Sequence, residues 1–232
     1  MARWERACDA LPENLARPVL DVGCAFGFGT AKIASRHRVV GVDSSAAYIR
    51  RARRAYPSIP FVIASAAALP FARGAFGAVI CLEVLEHVPD AERALAEIAR
   101  VAALDAPVIL SVPNEGALAS CDSLNLYQRL RRKLWWLPAP PEIGEGWHRH
   151  YTRDALMALA HNQLRFEREW VTALGLAEFI QLPLLIGLRG LLRWTRLFTL
   201  TQYAYFGAYV LEDMLPVPRY GYHLMVQTRR GA

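Results

Sequence analysis

The segment Val19-Leu20-Asp21-Val22-Gly23-Cys24-Ala25-Phe26-Gly27-Phe28-Gly29-Thr30 constrains this chain more than any other. An apolar run closed by an acid, then glycines, then helix formers reads as strand, tight turn and helix. Glycine lacks a Cβ and tolerates positive φ, so Gly23 and Gly27 let backbone approach a ligand closely. Spacing then narrows the ligand. A dinucleotide turn has the form G-x-G-x-x-G, whereas Gly23 and Gly27 stand four apart with Ala25 between them and Gly29 beyond. A pyrophosphate cradle is not what that spacing describes.

The elements downstream repeat the alternation. Val39-Val40-Gly41-Val42 is a short buried strand closed by Asp43, and a helix over 46–55 follows, with Ser44 and Ser45 available as caps. Phe61 to Ala64, Phe76 to Cys81 and Val108 to Val112 read as strands three to five, with a helix over 90–103 carrying Leu95, Ile98, Ala99 and Ala102 on one face. Such alternation implies parallel pairing through right-handed crossovers. Ahead of the first strand, residues 2–15 have helical spacing, and Thr30 to Arg38 reads as the first helix after the turn. An acid at the tip of the second strand, some twenty residues past the glycine turn, can accept both hydroxyls of a ribose, because one carboxylate has two acceptor oxygens.

Asp21-x-Gly23-x-Ala25-x-Gly27, then Gly41-Val42-Asp43, then Leu82-Glu83-Val84-Leu85-Glu86-His87-Val88-Pro89-Asp90 together resemble the class I S-adenosylmethionine-dependent methyltransferases, in the methyltransferase-11-like group with the Glu-His-Val-Pro-Asp segment. The similarity runs in order from residue 18 to 114, with fainter echoes from Tyr151 to Leu159 and at the C-terminus. Two positions depart from it. The family usually has glycine where Ala25 stands, and commonly carries Gly-Asp-Ala where this chain has Ser65. A serine hydroxyl can still accept from the adenine amino group, but without charge assistance that bond is weaker.

The resemblance implies S-adenosyl-L-methionine as cofactor, on Asp21, Gly23, Cys24, Ala25 and Gly27 of the turn, Asp43 and Ser44 at the ribose, Ser65 and Ala66 near the adenine, and Leu82 and Glu83 beside the methionine portion. Plainer alternatives stand beside these: Asp21 as a turn cap, Asp43 as an N-cap and Glu83 as a structural carboxylate. No metal is implied. The fold expected is α/β: a Rossmann-like seven-stranded, mostly parallel sheet with the last strand antiparallel, helices on both faces, and a helical apolar cap or insertion. One methyltransferase domain over 1–232 is expected, with 18–114 the cofactor-binding core and 115–150 and 175–215 the cap segments. Leu164 to Val171 reads as the sixth strand and Tyr220 to Thr228 resembles the terminal one.

A hydroxyl acceptor must lose a proton, and His148 and His150 are the candidate bases because imidazole titrates near neutrality. The plain alternative is that they hold the 147–154 loop. His87 sits in a segment that is structural in the resembling enzymes. The function expected is therefore O-methylation of a lipid-linked, glycan or small-molecule acceptor, the alternative being a non-catalytic S-adenosylmethionine-binding or assembly protein.

The formal charge of +6 suits an anionic surface only if its distribution does. Two basic, aromatic-edged stretches, 127–136 and 186–209, suggest peripheral membrane contact, with Arg189, Arg193 and Arg196 at i, i+4 and i+7 forming one helical stripe. A hydrophobic lid or a dimer interface would use the same residues. No RNA-binding module is recognisable, so nucleic acid is not an expected partner. Four cysteines without C-x-x-C pairing, no apolar leader within 1–15 and no uncharged 18-residue apolar run suggest a reduced, cytoplasmic protein, and membrane contact through the two basic stretches would set it at the inner face of the membrane.

Overall fold

A computed structural model describes residues 2–116, 119, 122–134, 136–137, 148–161, 163–173, 180–181, 183–194, 196–198, 200–201, 207–208, 211–212 and 221–231. Seven strands form one sheet: β1 Val19–Val22, β2 Val39–Asp43, β3 Phe61–Ile63, β4 Ala78–Leu82, β5 Pro107–Pro113, β6 Leu164–Thr172 and β7 His223–Arg230, in the order β3-β2-β1-β4-β5-β7-β6. The strands β1 to β5 pair in parallel, with Val19 beside Val39 on one side and Ala78 on the other. Order reverses at β1, so the crevice for a ligand lies at the carboxyl ends of β1 and β4. The last strand is antiparallel: Asn114 N donates to Tyr222 O at 2.8 Å and Arg230 N to Ala106 O at 3.1 Å.

Six α-helices are described: α1 Ala2–Asp9, α2 Phe28–Ala34, α3 Ala46–Ala55, α4 Ala91–Val101, α5 Ser123–Lys133 and α6 Arg153–Leu159. Two ends differ from the sequence reading. The N-terminal helix stops at Asp9 rather than running to 15, since Pro12 and Asn14 offer nothing to extend it. The helix after the turn starts at Phe28 and ends before Arg36 and Arg38. Arg36 instead pairs with Asp9 at 2.7 Å and Arg38 donates to Ala16 O. Asp90 and Ser45 cap α4 and α3 through their side chains, as their residue types predict.

The chain divides into two compact units. One comprises Arg3–Val112, Arg153–Trp170 and Met225–Ala232 and holds most of the sheet. Its core is continuous: Val19, Ile33, Ala78, Ile80, Ile109 and Met225 are all fully buried. Burying such side chains contributes roughly 1.5–3 kcal/mol each. Within it, α1 is seated on α2 because Gly29 leaves room for Trp4: a Cβ there would lie 2.3 Å from the indole. Lys32 pairs with Glu5 at 2.7 Å along the same contact.

The other unit comprises Met1–Ala2, Pro113–Thr152 and Val171–Leu224. Tyr127, Leu137, Leu185 and Phe198 form its buried cluster. Two expectations change here. Tyr127 does not edge a basic surface but is fully buried in that cluster. The arginine stripe is not one helix either: a π-helical turn covers Leu185–Leu191, and Arg193 then takes φ 53°, outside any helix. Trp135, Trp147, the 138–141 proline turn, Cys121, Tyr220 and most of 199–220 lie outside the described residues, as does the side chain of Arg189.

Candidate functional site

Strand β1 delivers Asp21 to the base of the turn, where its side chain is fully buried. One oxygen, Oδ2, accepts from Thr30 Oγ1 at 2.6 Å. The other, Oδ1, is buried with no hydrogen-bond partner among the described residues. Desolvation pushes this carboxyl up to about 7; the Thr30 bond opposes the shift and the nearby charge of Asp43 adds to it. Beyond Asp21 the backbone turns through three left-handed residues, Gly23 at φ 77°, Ala25 at φ 45° and Gly27 at φ 82°. Both glycines are also required sterically. A Cβ would sit 2.1 Å from Val84 Cγ2 at Gly23 and 2.7 Å from Phe61 Cζ at Gly27.

Alanine at φ 45° is strained by about 1–2 kcal/mol. An Ala25→Gly change removes that strain and adds roughly 0.5–1 kcal/mol of backbone entropy cost. The variant should therefore be more stable by up to about 1.5 kcal/mol in a urea titration, and a clear loss of stability would show that the Ala25 methyl packs usefully.

Asp43, at the carboxyl tip of β2, holds this turn in place. Its Oδ2 accepts from Ala25 N at 3.0 Å and its Oδ1 from Ser45 N at 2.8 Å. Gly23 N and Cys24 N both donate to Val42 O, at 2.7 and 3.0 Å. The Cys24 side chain turns away into the cluster of Ile49, Ala52 and Phe61, and burial pushes its thiol above the usual range. Only its backbone borders the turn. Ser44 is exposed beside Asp43; Ser65 is exposed, its Oγ accepting from Ala67 N at 3.2 Å; Ala66 is buried beneath it.

At the tip of β4, Leu82 is buried and Glu83 takes φ 55°. Glu83 Oε1 accepts from Ser111 Oγ and pairs with Arg3 Nη1 of α1 at 2.9 Å. The sequence reading missed Arg3, whose role is visible only once α1 is seated. Leu85–His87 is a 3-10 turn with Leu85 and Glu86 buried, which favours the structural reading of that segment.

The structure brings the two candidate histidines together in the Pro113–Thr152 and Val171–Leu224 unit. His148 Nδ1 lies 2.9 Å and His150 Nε2 3.6 Å from the same oxygen, Oδ2 of Asp122. Tyr222 donates its hydroxyl to that oxygen at 2.6 Å. Neither Asp122 nor Tyr222 stood out in the sequence.

The family model described as a methyltransferase domain matches residues 20–109. A protein named as a probable S-adenosylmethionine-dependent methyltransferase of Mycobacterium tuberculosis is 34% identical over 104 residues, 44% of this chain and 38% of that protein. Norajmaline N-methyltransferase of Rauvolfia serpentina is 32% identical over 122 residues, 49% of this chain and 42% of that one. The chain thus spans about two fifths of the length of these curated relatives. The crystal structure of the YcgJ protein of Bacillus subtilis superimposes with a TM-score of 0.67 at 18% identity, covering 99% of this chain and 98% of that one, a likeness of fold.

A buried carboxylate oxygen without a partner, a turn whose backbone is open to close approach and a two-oxygen acid on the adjacent strand together fit a nucleoside whose far end is cationic. The segment from β1 into β5 is thus similar to a methyltransferase domain, on a fold shared with the YcgJ protein.

Proposed function

We propose that the protein transfers a methyl group from S-adenosylmethionine to an oxygen of a lipid-linked, glycan or small-molecule acceptor. The pinned turn supports this reading most: three left-handed residues held by one carboxylate at the neighbouring strand tip. When bound, the cofactor supplies a methyl carbon on a positively charged sulfur that is already a good leaving group. The chain then has to hold, align and dry the reactants, effects worth about 7 kcal/mol or more.

In this reading Asp43 receives the ribose hydroxyls on its remaining lone pairs, with Ser44 beside it. Asp21, Gly23, Cys24, Ala25 and Gly27 carry the methionine end, Leu82 and Glu83 flank it, and Ser65 and Ala66 border the adenine. His148 or His150 takes the proton of a hydroxyl acceptor. Cell extract supplied with isotopically labelled cofactor tests the reading by mass spectrometry for a labelled methyl product. Tight nucleoside binding with no product from any extract favours a non-catalytic binding protein.

A cytoplasmic position at the inner membrane face belongs to the same proposal. No helix of the described residues is long and apolar enough to cross a membrane. Leu191, Leu192, Trp194, Leu197 and Leu200 are exposed, and Arg193 and Arg196 are exposed among them. Each basic residue at an anionic surface contributes about 1 kcal/mol. Reversing both in Arg193→Glu/Arg196→Glu should weaken co-sedimentation with anionic liposomes about tenfold or more. Equal recovery of both proteins, or of neither, removes the membrane contact.

A further inference from the structure

Helix α3 carries Arg50, Arg51, Arg53 and Arg54 and no acid. The imbalance reaches further, because no acidic residue stands between Asp43 and Glu83 in the sequence. Ile49 and Ala52 bury one side of the helix. By helical periodicity the opposite side is made of Ala47, Arg50, Arg51 and Arg54, and all four are exposed. Arg53 reaches round the edge and donates to Phe61 O at 2.7 Å. The other three pair with no acid among the described residues. Arg50 and Arg54 stand at i and i+4, and Arg51 and Arg54 at i and i+3, spacings at which like charges destabilise a helix. An anionic partner relieves that repulsion.

The arginine face begins at the turn between β1 and α2. Phe26 of that turn is exposed, lies with the Arg51 guanidinium 4.5 Å from its ring centre, and packs against Tyr48 with centroids 4.6 Å apart. Phe28, two residues on, is exposed as well. From these groups we infer that α3 docks on an anionic lipid surface, with Arg50, Arg51 and Arg54 against headgroup phosphates and Phe26 and Phe28 in the interfacial layer. A guanidinium offers phosphate two parallel N–H donors, which suits arginine to such a surface. Nucleic acid fits less well. A base stacks on an open aromatic face, and Arg51 and Tyr48 already pack on the Phe26 ring. The contact lies in the unit that holds most of the sheet and is separate from Arg193 and Arg196, which belong to the other unit. One consequence rests on the methyltransferase reading above: lipid at Phe26 brings a membrane-borne acceptor to the mouth of the crevice, which favours the lipid-linked class.

Co-sedimentation of the full chain with vesicles at low ionic strength tests the contact without acceptor or cofactor. The Arg193→Glu/Arg196→Glu protein is the background, so that what is retained reports on α3. It should partition onto mixed phosphatidylglycerol and phosphatidylcholine vesicles about tenfold or more better than onto phosphatidylcholine alone. Adding Arg50→Glu/Arg54→Glu should remove that preference, whereas Arg50→Lys/Arg54→Lys should keep most of it. Should the glutamate variant fail to fold, Arg50→Gln/Arg54→Gln gives the same reading by removing charge alone. Equal retention of the background protein by both kinds of vesicle, retention by neither, or an unchanged preference after the α3 charges are lost overturns the inference. So does retention by duplex RNA with none by the anionic vesicles. Titration of the same samples with S-adenosylhomocysteine separates the two claims. Nucleoside binding without vesicle retention overturns the contact alone, whereas vesicle retention without nucleoside binding supports the contact and overturns the methyltransferase reading together with the choice of acceptor.

Discussion

An Asp43→Ala variant should bind S-adenosylhomocysteine about a hundredfold more weakly than the wild type, or worse. The size follows from what the carboxylate does at once. It accepts from Ala25 N and Ser45 N, so it fixes the turn, and in the proposed site its free lone pairs receive both ribose hydroxyls. A hydrogen bond to a charged group contributes about 1.5–3 kcal/mol, so loss of two from the ribose alone gives roughly 3 kcal/mol or more. Loss of the turn's tether adds to that. Isothermal titration calorimetry measures the change, and circular dichroism confirms that the sheet has survived. An affinity within threefold of the wild type would mean that the nucleoside does not rest on β2. Asp43→Asn should fall between the two, since it keeps one acceptor oxygen and turns the other position into a donor.

What could be read before the structure, and what could not, divides along the range of the interactions. The turn was legible because glycine spacing is a local signal, and Gly23 and Gly27 each proved to need both positive φ and the absence of a Cβ. Asp43 was legible for the same reason, as an acid at a strand tip at fixed distance from that turn. That it also holds Ala25 was not, because this bond joins residues 18 apart across two strands. Asp122 shows locally only as a helix cap, accepting from Asn125 N. Its side-chain partners His148 and Tyr222 lie 26 and 100 residues away, and only the return of β7 beside β5 supplies Tyr222. Arg3 is similar: nothing in a short N-terminal helix announces an ion pair with Glu83 until Trp4 docks over Gly29. The arginine stripe failed for the opposite reason. A 3.6-residue period was extended through a stretch that leaves the helix at Leu192 and reverses φ at Arg193. Tyr127 misled because an aromatic beside arginines reads alike whether it edges a surface or anchors a core.

Asp21→Asn should make the unliganded protein more stable at pH 8, by something of the order of 2–4 kcal/mol, while weakening its hold on a cationic cofactor. In the folded chain the Asp21 carboxyl is pushed up to about 7, chiefly by burial. In the unfolded chain it titrates near its ordinary value of about 3.9. Below pH 4 the group is neutral in both states and costs nothing. Between pH 4 and 7 the unfolded chain has lost its proton while the folded chain keeps it, so the folded state binds more protons and stability falls as pH rises. Above pH 7 both states are ionised and the full cost of a buried charge is present. About three pK units correspond to roughly 4 kcal/mol. Asparagine never ionises, so the slope between pH 4 and 7 attributable to this site should vanish from urea-denaturation free energies. The gain stays below the full figure because the amide accepts less strongly from Thr30 than a carboxylate does. Such a costly group persists where a ligand repays it. A sulfonium or ammonium favours the ionised form, so wild-type affinity for S-adenosylmethionine should rise from pH 6 to pH 8, and Asp21→Asn should bind more weakly and without that slope. If the variant is less stable at pH 8, or keeps the wild-type slope from pH 4 to 7, then Asp21 is already ionised in the fold and its buried oxygen is satisfied in another way.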